Sequence, residues 1–527
     1  KQRNLKREAS AFCYNLSMEN LKLQHLEYKP VQLILPMDYL HIIDKCDPVV
    51  TFREVIGGLN LHHYIKTSSK GRQEYSCEIM LQLILFGFME NKRSLRELEK
   101  ACKNDIRFMY LAQGIQPSFM AFQRFIDTKL TTSIDDIFYA MNRFLIDKEE
   151  IDTNTIFVDG TKIEANAQKF SFVWKKAILN HQANLYLKIS KLVQEINNQF
   201  NMTFQTKETY DPANLDDLCV HFEKQIEAEG ICFVYGSGKR KHPYQRVYER
   251  LMEYKEKLKE YQKHLDICGE RNSYSKTDHD ATFMHGKEDY YSKTGIFKPY
   301  YNVQIGVSEE YILHYGVYPN PTDTKTWIPF FEHYYQRYDE YPRTPVADAG
   351  YGSYDNYMYN LSKGMRLSMK YNSFSKENEN SFKKKKYNIK NMRIEDNQLI
   401  SNDGHVYHYS HEYEDTRGVY PRIKQIFIHS SWDEALKEQG IPKVISRDVV
   451  LHQMQEAARE LLNSEEGIQL RTQRSIEVEG AFGDIKSNSE YTRIQRRGKK
   501  GVQTELCLVF IGYNLRKYHN KKHRIHH

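Results

Sequence analysis

The sequence predicts an α/β fold: a mixed sheet flanked by helices, with an all-helical N-terminal region, a long helical-hairpin insertion and a β-rich insertion. Three observations predict it. Two short β-branched and aromatic runs, Thr155–Gly160 and Thr344–Asp348, each close on an acid. Between them lies a sustained heptad of apolar residues. Ahead of them, apolar residues recur at helical spacing. With 527 residues, 40% hydrophobic and 28% charged, the composition is that of a globular protein. The length corresponds to roughly three to four domains.

In chain order, the first 45 residues mix polar stretches with short apolar runs, and Pro36 breaks one of them. Lys1 opens a basic, polar segment with no apolar core of a secretory signal. Ser76 reads as an N-cap ahead of Ile79, Leu83 and Phe86. Ser94-Leu95-Arg96-Glu97 reads as a capping box for a second helix. Further helices are expected near Asp105 and after Ser118. These helices are either a DNA-binding helix-turn-helix or plain core packing.

Thr155–Gly160 follows as a buried strand with Asp159 at or near its end. Ile178, Leu185, Ile189, Leu192 and Ile196 mark one face of a long helix; Val247, Leu251, Tyr254, Leu258, Tyr261, Leu265 and Cys268 mark another. The two predict an antiparallel helical hairpin joined by an irregular acidic stretch, 205–230. Tyr301–Val307 and Tyr311–Tyr318 then form a β-hairpin, Asp323–Tyr338 a helix, and Thr344–Asp348 a strand. Segment 370–430 is β-rich, with Asp403-Gly404 as a turn. Helical signals resume at Asp448.

Charge and cysteine usage exclude several classes. The longest mainly apolar stretch, Ile79–Met89, is about half of what a membrane span needs. The eight cysteines form no CxxC pair, which argues against a zinc ribbon and a thioredoxin-type redox site. Net charge is +7, but Tyr491–His527 alone carries ten Lys/Arg and one acid. That segment either faces a polyanion or is a solvated tail.

Asp159, Asp348 and Glu479 are where metal chemistry wants carboxylates: two at strand ends and one in a predicted helix. Such a set can hold two Mg²⁺ about 4 Å apart for in-line attack at a phosphodiester. Glu477 competes for the third place. In an α-helix the two glutamates face about 200° apart, so only one reaches the metals; Glu479 shares a face with Gly483 and Lys486.

Four blocks in order carry a family resemblance. They are SLRELEKACKNDIRFMYL within 75–126, FVDGTKIEANAQKFSFVWKK at 157–176, VADAGYGSYDNYMYNL at 346–361, and RSIEVEGAFGDIKSN at 474–488 followed by YTRIQRRGKKGVQTE and GYNLRK. From about residue 30 to 518 the chain resembles bacterial insertion-sequence transposases of the DDE class. The resemblance implies an RNase H-like, retroviral-integrase-like catalytic domain assembled from 150–165, 295–370 and 445–518. It also implies a helical N-terminal domain over 1–145, insertions at 166–294 and 371–444, and a basic tail at 519–527.

The resemblance implies that Asp159, Asp348 and Glu479 are catalytic and hold two Mg²⁺ ions, for which Mn²⁺ substitutes. It assigns Arg474 and Lys486 to the transposon end, with the Arg spacing one residue longer than in the best-known form of that signature. Arg493, Arg496, Arg497, Lys499 and Lys500 supply further DNA affinity. The implied partners are double-stranded DNA, both terminal inverted repeats and target, and a second protomer in the synaptic complex, in a bacterial cytoplasm and without a membrane. The β-rich insertion is the place where hairpin-forming relatives carry one. A silent transposase-derived DNA-binding protein and a stand-alone structure-specific nuclease are the rival readings. Asp159-Gly160-Thr161 is also similar to a haloacid dehalogenase phosphatase motif, but Phe157 stands where that family needs an Asp.

Overall fold

The structure, a computed structural model, describes residues 42–65, 74–236, 238–286 and 297–523. The N-terminal stretch with Cys13 and Pro36, and the last four residues of the basic tail, lie outside the described residues. Residues 1–47 and 48–527 separate as two units, and the second carries the architecture.

Among the described residues six α-helices come first: α1 Pro48–Gly57, α2 Cys77–Met89, α3 Leu95–Asn104, α4 Ile106–Ala112, α5 Phe119–Thr128 and α6 Ile134–Glu149. Eleven of the 13 residues of α2 are buried, so it is a core helix rather than an amphipathic one. Ser76 and Ser94 stand at the N-cap positions of α2 and α3, but neither side chain makes a capping bond. The expected capping box at Ser94–Glu97 is therefore not formed. Asp105 and Ser118 do cap, accepting from Arg107 N and Ala121 N.

Strand β1 spans Thr155–Glu164. It does not end at Asp159-Gly160 as expected. Glycine at 160 is required by close approach, since a Cβ there would lie 2.2 Å from Gln304 Nε2. β2 (Phe172–Trp174) leads into α7 (Lys175–Phe200). α8 (Asp216–Ala228) and α9 (Pro243–Cys268) follow, and then β3 (Ser273–Ser275). β2 and β3 pair antiparallel, Phe172 with Ser275 and Trp174 with Ser273. This small ladder closes the base of the insertion and makes α7 and α9 antiparallel. The stretch 205–230 is not an irregular linker: Leu218, Cys219 and Phe222 of α8 join Leu185, Ile189, Leu192, Val247 and Leu251 in one core. The insertion is a three-helix bundle, because a two-helix seam leaves a flank that α8 covers.

β4 (Thr282–His285), β5 (Phe297–Ser308), β6 (Tyr311–Tyr318), α10 (Trp327–Tyr338), β7 (Thr344–Gly352), α11 (Tyr354–Ser362) and β8 (Met369–Tyr371) complete the central sheet. The expected helix from Asp323 begins instead as a 3₁₀ turn, Asp323–Lys325, before α10. The sheet order is β4-β5-β1-β7-β8, with β6 also on β5. β1 runs antiparallel to β5 and parallel to β7, and β7 runs parallel to β8. Glu309 and Glu310 turn β5 into β6, both at positive φ (49° and 70°), as a two-residue hairpin requires. This is a mixed α/β architecture with the RNase H-like strand arrangement.

The second insertion is a five-stranded antiparallel sheet: β9 (Arg393–Glu395), β10 (Gln398–Ile400), β11 (Val406–Asp415), β12 (Arg422–His429) and β13 (Val444–Arg447). Helices α12 (Val449–Asn463) and α13 (Glu465–Arg474) follow. α13 continues through Asn488, π-wound at Ser475–Glu479 and Asp484–Asn488. α14 (Lys499–His523) ends the described chain. It runs against α2 so closely that a Cβ at Gly512 would lie 2.5 Å from Phe88 O. Buried Asn514 receives Ile312 N at 2.9 Å and donates to Asn142 Oδ1 at 3.0 Å, tying α14 to β6 and α6.

Candidate active site

Asp159 and Asp348 come from neighbouring parallel strands. The ladder between β1 and β7 pairs Thr155 with Thr344, Ile156 with Pro345 and Phe157 with Val346, and stops there. Each aspartate stands two residues beyond the last pair, so both project from the same face as Phe157 and Val346. The strands part at the carboxyl side of the parallel pair, where open α/β sheets usually hold a ligand in a crevice. Asp348 Oδ1 accepts from Gly350 N at 2.8 Å, and Asp159 Oδ1 from Gly160 N at 2.8 Å.

A buried polar network backs the pair. Asn302 Nδ2 and Gln304 Nε2, alternate residues of β5, both donate to Asp323 Oδ1 at 2.8 Å. Tyr351, 1% exposed, donates to Gln304 Oε1. Burial raises the Tyr351 hydroxyl well above its ordinary value, and the negative charges of Asp323, Asp159 and Asp348 push the same way. The hydroxyl therefore stays a donor. Asp323 was not singled out in the sequence; at the head of a helical segment it carries only the signal of a helix start.

The helix containing Glu479 crosses the same face of β1. Arg474 Nη1 lies 3.5 Å from Asp159 Oδ2, both side chains being 13% exposed. Lys486 Nζ donates to Thr161 Oγ1 at 2.6 Å, and Thr161 shares Asp159's face of the strand. Glu479 sits between these two cations in the helix and is exposed. A Cβ added at Gly480 or Gly483 would meet nothing within 4 Å, so this side of the helix borders open space. Glu477 is 3% exposed and turns away, accepting from Glu310 N and from Gln473 Nε2 at 2.7 Å. Gly480–Gly483 is α-wound, so Gly483 keeps its expected place one turn from Glu479; the π-winding from Asp484 shifts only the phase of Lys486.

Among the described residues no three His, Cys, Asp or Glu side chains are close enough to hold a metal ion together. The structure thus brings Asp159 and Asp348 into register, with Asp323 behind them, and does not close the three expected acids into one cluster.

The basic run lies at the other end of β1. Ile494 N donates to Glu164 O at 2.9 Å, five residues past Asp159 and so about 16 Å along the strand. Arg493 is exposed, 3.9 Å from Glu164. Arg496 pairs with Asp127 of α5 at 2.5 Å, and Arg497 donates to Asn166 O at 2.8 Å. Lys499 and Lys500 are exposed, and Lys499 N donates to Asp280 Oδ2 at 2.7 Å. Glu505, buried behind the loop, accepts from Tyr491 Oη, Gln495 N and Arg496 N at 2.8–3.1 Å. A cleft of about 600 Å³ between this loop and the N-terminal helices is lined by Arg93, Gln123, Asp127, Arg496, Arg497 and Lys500, among others.

Comparison with known families supplies the remaining observation. Residues 436–519 match a transposase DDE domain, and residues 37–128 match a second family described as a transposase domain. The two matches indicate an insertion-sequence DDE transposase. No curated protein and no solved structure matches the chain. The DDE match covers Arg474, Glu479, Lys486 and the 493–500 loop; Asp159 and Asp348 lie outside both matched segments. Among the described residues no helix is long and apolar enough to cross a membrane.

Proposed function

We propose that this transposase cleaves the ends of its own mobile element and joins the freed 3′-OH ends to target DNA, with Asp159, Asp348 and Glu479 as the catalytic carboxylates. The observation that carries the reading is the register of Asp159 and Asp348, each two residues past the end of one parallel ladder. Two hard carboxylates on one face, half-buried at a strand divergence, fit Mg²⁺, or Mn²⁺ in its place. Two such ions would activate the attacking oxygen and stabilise the leaving one.

The chain's own residues do the rest. Glu479 is the carboxylate free to join the pair, since Glu477 is buried and committed to the β5–β6 turn. Arg474, beside Asp159, holds that carboxylate in place until DNA arrives and then turns its guanidinium to a phosphate. Lys486, anchored on Thr161, fixes the helix against β1 and presents a second cation beside the reacting strand. Exposed Arg493, Arg497, Lys499 and Lys500 extend the positive surface toward the α5 cleft, where flanking duplex is held. Two ends need two active sites, so the working complex is at least a dimer on double-stranded DNA, in the bacterial cytoplasm and at the nucleoid.

The test is a cleavage assay on a duplex carrying the inverted repeat that flanks the gene, with Mg²⁺ or Mn²⁺. Wild type nicks at the element end and gives strand-transfer products; Glu479→Gln is inactive and Glu477→Gln is active. Binding without cleavage under either metal would leave a silent DNA-binding protein. Cleavage without strand transfer would leave a nuclease.

A further inference from the structure

Three cations meet beside Asp348 from elements far apart in sequence. Arg471 and Arg474, three residues apart, are neighbours on one side of α13, a helix that packs on β7. Lys370 reaches the same place from β8, whose neighbour Met369 pairs with Ala347. Burial lowers the Lys370 ammonium below the ordinary lysine value; the positive charges of Arg471 and Arg474 lower it further, and Asp348 opposes them. All three side chains are half-buried.

These cations are under-partnered. Arg471 Nε and Arg474 Nη1 are buried and have no hydrogen-bond partner. Among the described residues, the acid at Arg474 is Asp159, at 3.5 Å. Acids nearby are committed elsewhere: Glu466 to Arg366, Glu377 to Lys390, and Glu477 to Gln473 and the Glu310 backbone. The plane of Arg471 is set by stacking on Phe374, whose ring packs on Tyr371. Buried N–H groups without acceptors, and like charges held together, are costly in a free protein. A tetrahedral anion with several acceptor oxygens relieves both costs at once.

We propose that Lys370, Arg471 and Arg474 form a single phosphate site beside Asp348 that grips a backbone phosphate of the DNA strand entering the acid pair. This rests on the transposase reading and extends it to two residues, Lys370 and Arg471, that lie outside the basic run. The site is assembled by β8 and α13 around β7, so the phosphate it holds lies within a nucleotide or two of the bond presented to Asp348.

The experiment uses the full chain and the same inverted-repeat duplex, titrated without catalytic metal at several salt concentrations. Wild type is compared with Lys370→Met and Arg471→Gln, both of which keep a long side chain. Each variant should bind about tenfold more weakly, with the slope of log K against log salt reduced by about 0.9. Each should melt no lower than wild type, because it removes like-charge repulsion. A single neutral methylphosphonate walked along the strand should weaken wild type at one position and leave Lys370→Met unchanged there. If wild type binds and cuts but both variants keep its affinity and slope, the phosphate site is refuted and the transposase reading stands. Lower melting with an unchanged slope refutes it in favour of a packing role. If wild type neither binds nor cuts, both readings fall together.

Discussion

The two ends of β1 carry positive charge in opposite ways. At the Glu164 end, the 493–500 loop is the densest basic run next to the helix of Glu479, yet much of it is tied to protein. Arg496 is paired with Asp127, Arg497 holds Asn166 O, and buried Glu505 gathers the loop backbone. At the Asp159 end, the cations are scattered in sequence, half-buried and short of partners. Charge density along a chain therefore marks where a polyanion is welcome. Unsatisfied donors mark where one is expected to be gripped, because desolvation has already been borne and only an anion offsets it.

Four results would break or sharpen this comparison. The largest effect should come from Asp159→Asn and Asp348→Asn, which should lower end cleavage on the order of a thousandfold or more while binding changes little. If either variant retained near-wild-type cleavage, the Asp159 end would not be the catalytic end of β1.

Next come the two glutamates. Glu479→Gln should match the aspartate variants in cleavage and melt like wild type. Glu477→Gln should keep cleavage but lose about 1–3 kcal/mol of stability, read by denaturant unfolding, because Glu310 N loses a charged acceptor. The reverse pattern would place Glu477 at the reaction.

A contrast between cations follows. Arg496→Gln should cost up to about 1 kcal/mol of stability through the Asp127 pair. It should alter the salt slope of DNA binding less than Lys370→Met does. Equal slope changes would erase the distinction between the two ends.

The smallest effect concerns pH. Burial raises the Glu505 carboxyl above its ordinary value, against the opposing hydrogen bonds from Gln495 N, Arg496 N and Tyr491. The folded state then holds this proton more tightly than the unfolded one. Stability should fall as pH rises from the ordinary glutamate range to that raised value, and level off above it. Comparing unfolding of wild type and Glu505→Gln from about pH 4 to 7 isolates the contribution, which the variant should lack.

The sequence by itself determined the order of elements around the sheet. β-branched and apolar runs with period two, and apolar stripes at helical spacing, are local signals. The β5–β6 hairpin and the long helices α7 and α9 lie where those patterns place them, and β1 and β7 start where expected but run on four residues past it, to Glu164 and Gly352. The family resemblance, carried by four sequence blocks, adds the expectation of Asp159, Asp348 and one of two glutamates as the carboxylates. Tertiary structure decided what local pattern could not encode. Asp159-Gly160 is a strand interior because Gln304 of β5 needs the missing Cβ, and no turn propensity contains that neighbour. The phase of Glu477 and Glu479 depends on π-winding, which shifts side chains without changing the residues. α8 joined the insertion because a two-helix seam leaves apolar surface that a third helix covers. Asp323, Lys370 and Arg471 carry ordinary local meanings: a helix start, a strand residue and a helix-surface cation. Their role beside Asp159 and Asp348 arises only when β5, β7, β8 and α13 converge, since burial and loss of partners are properties of the packed chain and not of any stretch of it.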